Sequence, residues 1–244
     1  MKTAIVLAAG KGSRMKLANR NKIPKSLLAV ADIPILERLI NSLLENDIKK
    51  IYIIVGHLKE KIISFIYDKF PSICETIISK NYLKGPIYSF NDLLDEINLP
   101  IEFLLCPADL IIDPMGIKKM FTYYELKDTD LLVPIDKNAN LKGLTIKIEE
   151  NKIFGTIKKY NFTNNKSKND AKIIPIVICS KKIEPYVELA MNSGLKRFVD
   201  AMNLFLENNN SSHYIDLTPH FWFDVDNREI LEKARTYCNK HLSS

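Results

Sequence analysis

Apolar positions along the chain fall into two alternating rhythms. Ala4–Ala8, Ile51–Val55 and Ile101–Cys106 are short, mostly apolar runs, the pattern of strands buried on both faces. Between them, Pro34–Leu44 places Ile35, Leu36, Leu39, Ile40, Leu43 and Leu44 at helical spacing. Lys59–Lys69 and Ser89–Ile97 also read as helices, and Glu75–Ile78 as a strand. Strand, loop, helix and strand in regular succession predict a mostly parallel sheet with helices on both faces, joined by right-handed crossovers.

The second half has a different texture. Asp130–Ile135, Leu144–Ile148 and Ile173–Cys179 read as strands, Asn151–Tyr160 as a hairpin continuation, and Phe162–Asp170 as a polar loop. Lys182–Asn192 reads as a helix, and so does Phe198–Glu207, with Phe198, Met202, Phe205 and Leu206 inward. A surface turn over Asn208–Ser212 precedes β-like stretches at Tyr214–Leu217 and Phe221–Val225, and Arg228–His241 closes the chain as a helix with Asn227 as its N-cap. Neither an internal repeat nor a separating linker is visible. The expected fold is a single three-layer α/β/α domain over residues 1–244 with a mostly parallel mixed sheet.

Composition narrows the class without choosing a function. Among 244 residues, 46% are apolar and 26% charged, which excludes disordered and collagen-like chains. No run approaches the ~20 apolar residues of a membrane-spanning helix, and the N-terminal apolar stretch is too short for a signal peptide, so a cytoplasmic protein without a membrane partner is expected. Cys74, Cys106, Cys179 and Cys238 are widely spaced, with no CxxC pair, and are expected reduced and buried. The net charge of +6 suits phosphorylated small molecules as well as nucleic acid. The basic residues are scattered, without an arginine-rich arm, so no nucleic-acid partner is expected.

The first strand runs into Leu7, Ala8, Ala9, Gly10, Lys11, Gly12, Ser13, Arg14 and Met15. Glycines directly after a buried strand let backbone N–H groups turn toward an anion, and Lys11 and Arg14 add charge: the ingredients of a phosphate cradle. The third glycine of a dinucleotide fingerprint is missing, and no GxxxxGK[ST] is present. Leu17–Lys25 carries Asn19, Asn21 and Pro24, which favour extended chain over a helix starting at the loop.

The motif LAAGKGSRM, followed by Pro24-Lys25-Ser26-Leu27-Leu28, resembles the sugar-phosphate nucleotidylyltransferases, with their nucleotide-diphospho-sugar transferase-like fold. The resemblance implies that the loop and Arg14 hold an NTP triphosphate and that Lys25 contacts the phosphates where the new bond forms. It also implies a Mg²⁺ cofactor held by a strand-end acid and an acid in a late WxDxD segment, here Asp109 and Asp226, with Asp224 close by. Family members most often have Gly where this chain has Ala108. Independently of the family, Asp109 ends an apolar run at the carboxyl edge where open α/β sheets bind ligands, although a helix N-cap would look the same. Asp224 and Asp226 alternate onto one side of a strand. Asp92, Asp95 and Asp113 read as ordinary helix-end or surface acids, and His57 and His220 as packed or solvent histidines.

The stretch Asn81–Ser89 resembles the family's base loop, making Gly85 and Ser89 nucleotide-binding candidates, while a connector with Tyr82 and Tyr88 packed on the core would also fit. Lys159 falls near where relatives place an acceptor-phosphate lysine, and alternation with Lys158 leaves open which one faces the site. Residues 1–115 are expected to bind nucleotide and 116–244 the acceptor. The implied reaction joins an NTP, with a lean to CTP, to a small phosphorylated acceptor (a sugar 1-phosphate, phosphocholine, an inositol phosphate or a phosphonate) and releases pyrophosphate. A homodimer is left open. An NTP-binding sensor of the same fold is the competing reading, and it has no need of Lys25, Asp109 and Asp226.

Overall fold

The computed structural model describes residues 2–12, 23–139, 143–149, 152–160, 169–208 and 211–242. In chain order, β1 (Lys2–Ala8) is followed by a single 3₁₀ turn at Lys25–Leu27, a short ladder of β2 (Ala29–Val30) and β3 (Ile33–Pro34), and α1 (Ile35–Leu44). Then come β4 (Ile48–Val55), α2 (Lys59–Lys69), β5 (Cys74–Ile78), α3 (Pro86–Leu94), β6 (Glu102–Pro107), β7 (Leu110–Ile112) and α4 (Pro114–Leu126). The second half supplies β8 (Leu131–Asp136), β9 (Gly143–Glu149), β10 (Lys152–Tyr160), β11 (Asp170–Ile173) and β12 (Val177–Ser180). It ends with α5 (Glu184–Asn192), α6 (Phe198–Asn208), β13 (Ser212–Asp216), β14 (Trp222–Asp224) and α7 (Arg228–His241).

Ten strands form one mixed sheet in the order β11-β9-β10-β13-β8-β12-β6-β1-β4-β5. β5, β4, β1 and β6 are parallel, which the helix-bearing connections between them allow. Antiparallel pairing enters with β12 and dominates the second half, apart from the parallel pair of β8 and β13. Alternation along the central strands feeds two cores. Ala4, Val6, Ala8, Ile51, Ile53 and Val55 meet Leu36, Leu39, Ile62, Ile117 and Met120 from α1, α2 and α4 on one face. Ile5 and Ile54 meet Ile87, Phe90, Val187 and Phe205 from α3, α5 and α6 on the other. This is the expected three-layer α/β/α arrangement. A third cluster, Val30, Ile35, Ile111, Val225, Leu231, Ala234 and Cys238, packs α7 beneath β14 and fixes the late acidic segment beside β7.

Several expected boundaries shift for local reasons. α3 starts at Pro86, three residues earlier than the periodicity predicts, because proline suits the first helical position and Gly85 caps it. Lys25 opens a 3₁₀ turn instead of closing an extended segment, and residues 17–22 lie outside the described chain. The strand expected over Ile173–Cys179 is broken: β11 pairs Ile173 with Ile135, and β12 pairs Ile178 with Leu132. Pro175, which has no N–H to donate, lies in the break. β7 and α4 are additional to the predicted elements; Asp113 caps α4 by accepting from the Met115 amide at 2.9 Å. Asn227 caps α7 as expected, accepting from Ile230 at 3.0 Å. All four cysteines are free and buried. Among the described residues, no helix is long and apolar enough to cross a membrane.

Candidate active site

The carboxyl ends of β1 and β6 open into a cleft of about 330 Å³. Leu7, Ala8, Ala9, Gly10 and Gly12 form one wall. Two backbone bonds hold that wall in place: the Ala108 amide donates to the Leu7 carbonyl at 3.0 Å and the His57 amide to the Ala9 carbonyl at 3.1 Å. Gly12 takes φ +61° and lies against the Lys25 side chain, where a Cβ would meet the lysine Cβ at 3.4 Å. Lys11 is exposed. Ser13 and Arg14 lie outside the described residues.

The 3₁₀ turn after Pro24 buries Ser26 and projects Lys25 into the cleft. Its Nζ forms an ion pair with Asp109 and another, at 3.2 Å, with Asp226. Asp109 sits in the turn between β6 and β7, not at a helix N-cap, and its carbonyl accepts from the Val225 amide at 3.1 Å. That bond joins the two acidic segments. Val225 packs into the α7 core and Asp226 lines the cleft, held by its amide to the carbonyl of Asp224, which lies beside it, at 2.8 Å. Carboxylate oxygens of Asp109, Asp224 and Asp226 lie within 4.8 Å of one another. Burial, then Asp109, then Asp226 push the Asp224 carboxyl up to about 7. Burial works against the Lys25 ammonium, but Asp109 and Asp226 more than compensate and hold it above its ordinary value. Hard oxygen donors crowded to this degree fit a divalent cation that takes one or two carboxylates and leaves the rest of its shell to water or phosphate.

On the opposite wall are Tyr82, Pro86 and Ser89. Gly85 has φ +141°, and a Cβ there would sit 2.5 Å from the Lys196 carbonyl oxygen, which accepts from the Ile87 amide. Gly85 therefore lets α3 begin against the loop before α6, though it is not itself in the lining. Ser89 Oγ contacts Ser79 Oγ at 3.1 Å, and Ser79 donates to Asp92 at 2.6 Å. Asp92 is thus no surface acid: it is buried within α3. Burial alone would raise its carboxyl, but hydrogen bonds from Ser79 and Asn81 hold it below the ordinary carboxylate range.

Lys158 is exposed, and the side chain of Lys159 lies outside the described residues. His220 bonds Asp113 at 2.8 Å at the start of α4, and neither it nor His57 lines the cleft. Sequence reasoning passed over Tyr82 as a cleft residue, and also Lys172 on β11, which lies outside the lining and whose ammonium burial pushes down while the charges of Asp224 and Asp226 pull it up. The signal for Lys172 was a lone cation between inward Ala171 and Ile173 in a strand.

Known proteins share this framework. The inositol-1-phosphate CTP transferase from T. maritima superposes with a TM-score of 0.79 at 16% identity, covering 96% of each chain. The bifunctional protein GlmU of Methanococcus vannielii is 26% identical over 226 residues, 83% of this chain and 49% of that protein. A 2-aminoethylphosphonate cytidylyltransferase of Lancefieldella rimae is 31% identical over 109 residues, 45% of this chain and 43% of its own length. The chain thus spans about half the length of curated relatives it matches. The model of the MobA-like NTP transferase domain matches residues 4–205, a stretch that contains the glycine loop, Lys25 and Asp109. With more than half of its length inside that match, the chain belongs to the MobA-like NTP transferase family.

Proposed function

We propose that the protein is a Mg²⁺-dependent nucleotidylyltransferase that couples an NTP, CTP in first place, to a small phosphorylated acceptor and releases pyrophosphate. The carrying observation is the convergence of the glycine loop, the Lys25 ammonium and three carboxylates at one end of the sheet. The inositol-1-phosphate CTP transferase and the 2-aminoethylphosphonate cytidylyltransferase that the chain resembles support the choice of base. In this reading residues 1–115 bind nucleotide and 116–244 bind the acceptor, with Asp224 and Asp226 reaching back across the cleft.

An acceptor oxyanion attacks the α-phosphorus of the NTP in line; the new P–O bond forms as the bond from the α-phosphorus to the bridging oxygen breaks, and pyrophosphate leaves with those electrons. The acceptor is already ionised at neutral pH, so positioning and electrostatics carry the catalysis and no histidine base is needed. Backbone amides of the loop from Gly10 to Gly12 hold the triphosphate, with Arg14 in support. Lys25 neutralises charge as it builds on the transferring phosphoryl group. Ser89 sits along the base wall, Gly85 shapes that wall from behind by letting α3 begin there, and Lys159 is a candidate on the acceptor side. Asp109 and Asp226, with Asp224 beside them, would hold the magnesium, which supplies charge neutralisation for the reacting phosphates. Asp109→Ala tests this directly. Turnover should fall by at least about a thousandfold with the circular-dichroism spectrum unchanged, and near-wild-type turnover would reject the proposal.

A further inference from the structure

The wall that carries Ser89 is backed by a chain of hydrogen bonds whose directions follow from the number of protons each group owns. Ser79 comes directly after β5 and is anchored by its amide to the Val55 carbonyl at 2.8 Å. Its Oγ lies 2.6 Å from Asp92 Oδ2 and 3.1 Å from Ser89 Oγ. Asp92 also accepts from the Asn81 backbone amide at 2.9 Å and from the Asn81 side-chain amide at 2.7 Å. Ser79, Ser89 and Asp92 are all buried.

An ionised carboxylate only accepts, and a serine hydroxyl has one proton to give. The contact with Asp92 is the shorter of the two and is charge-assisted, so it takes the Ser79 proton. Ser79 Oγ then meets Ser89 as an acceptor, and Ser89 donates to it. With its proton spent inside the wall, the Ser89 hydroxyl has only lone pairs left for the cleft that this residue lines. Asp92 follows Ser89 by three residues on α3 and is not itself in the lining, so it acts on the cleft through Ser79.

We propose that Asp92 is a positioning residue for nucleotide selection: through Ser79 it holds Ser89 Oγ as a hydrogen-bond acceptor, and the wall therefore selects a base that presents an amino N–H there over its keto counterpart, cytosine over uracil. The assignment rests on the reading of the cleft as an NTP site with the base against this wall. Burial works against an ionised Asp92, but the bonds from Ser79 and Asn81 outweigh it and keep the group a pure acceptor at neutral pH. A keto oxygen brought to Ser89 sets lone pair against lone pair away from water. A buried polar group left unmatched in this way costs roughly ten- to a hundredfold in affinity.

The test uses the full chain with Mg²⁺. CTP and UTP are titrated by calorimetry into wild type, Asp92→Ala, Ser79→Ala, Ser89→Ala and the Ser79→Ala/Ser89→Ala double variant. Wild type should bind CTP at least tenfold more tightly than UTP. Ser79→Ala leaves both Asn81 bonds to Asp92 in place, so the loop stays anchored while the Ser89 proton is freed to turn toward the cleft. The preference for CTP should then fall at least fivefold, chiefly because UTP binds more tightly. Asp92→Ala should lower the preference in the same direction, and Ser79→Ala carries the test alone if the Asp92 variant does not fold. Once Ser89 is replaced by alanine, adding Ser79→Ala should leave the preference where the single variant put it, because no hydroxyl remains to be oriented. An unchanged preference in Ser79→Ala, or a loss that weakens CTP and UTP equally, makes the chain a structural brace and overturns this assignment alone. Wild type that binds both nucleotides without preference, or favours UTP, overturns it as well. Wild type that binds neither overturns it together with the NTP-site reading.

Discussion

Removing the charge of Lys25 should convert the site from a neutralised cluster into a repelling one. In Lys25→Met the side chain keeps its length but the ammonium is gone, leaving Asp109, Asp224 and Asp226 with oxygens within 4.8 Å of one another. At an effective dielectric near 20, a pair of unit charges at that separation repels by about 3.5 kcal/mol, and the lost attraction at the 3.2 Å Lys25–Asp226 contact is about 5 kcal/mol before desolvation is counted. Part of this is recovered because the ammonium no longer has to be dehydrated, so the net loss should be about 3 kcal/mol, in line with breaking a buried pair. For a chain of this size that is a fall in Tm of roughly 6–12 °C. The sign of its pH dependence follows from Asp224. Its carboxyl rises from an ordinary 3.8 to about 7 in the fold, so it contributes stability below pH 4 that is lost as the pH climbs through 7. Without Lys25 the acids should favour the protonated form still more. The deficit of the variant should therefore be largest near pH 8 and shrink toward pH 5.5. Calorimetric melts in chelator at both pH values, repeated with Mg²⁺, measure this, and added Mg²⁺ should restore more stability to the variant than to wild type. Equal melting of the two proteins at pH 8 in chelator would refute the reasoning.

Two further outcomes follow from single residues. Gly85→Ala forces a Cβ to within 2.5 Å of the Lys196 carbonyl at φ +141°, so stability should drop by about 1–3 kcal/mol and the KM for nucleotide should rise while the acceptor KM changes little; denaturant melts and initial rates check both. Asp92 is ionised below the ordinary carboxylate range through Ser79 and Asn81, so it contributes stability above its unfolded value that is lost as the pH falls through the depressed folded value. Asp92→Asn should be less stable than wild type by about 1–3 kcal/mol at pH 7, with the gap closing in acid; an acid-independent gap would contradict it.

The parts of the fold written in local pattern were readable from the chain. Unbroken runs such as Ala4–Ala8 and Ile51–Val55 can satisfy their surface only between two helical layers, α1 carries its buried face in plain periodicity, and α7 carries its N-cap in Asn227. What depended on pairing between distant segments was not. The periodicity places the start of α3 at Ser89, whereas the capping position belongs to Gly85 and depends on Lys196, more than a hundred residues on. Pro175 marked the break between β11 and β12, but its effect appears only in the register against β8. The site divides in the same way. Gly10, Gly12, Asp109, Asp224 and Asp226 stand at strand ends or turns, where the chain faces ligands instead of the core, whereas Lys25 stood out only through the family motif that follows the glycine loop. The surroundings of Lys172 were hidden because they require β11 to pair with both β8 and β9 and a glycine at 143 to lie against its ammonium.

Pyrophosphate release, measured with Mg²⁺ for each common NTP against sugar 1-phosphates, inositol 1-phosphate, phosphocholine and 2-aminoethylphosphonate, tests the account most directly. Release that needs both one NTP, with CTP foremost, and one phosphorus-bearing acceptor is the predicted result, and it should vanish in Asp109→Ala. Saturable NTP binding with no release against any acceptor would contradict the account and identify the cleft as a nucleotide-sensing site.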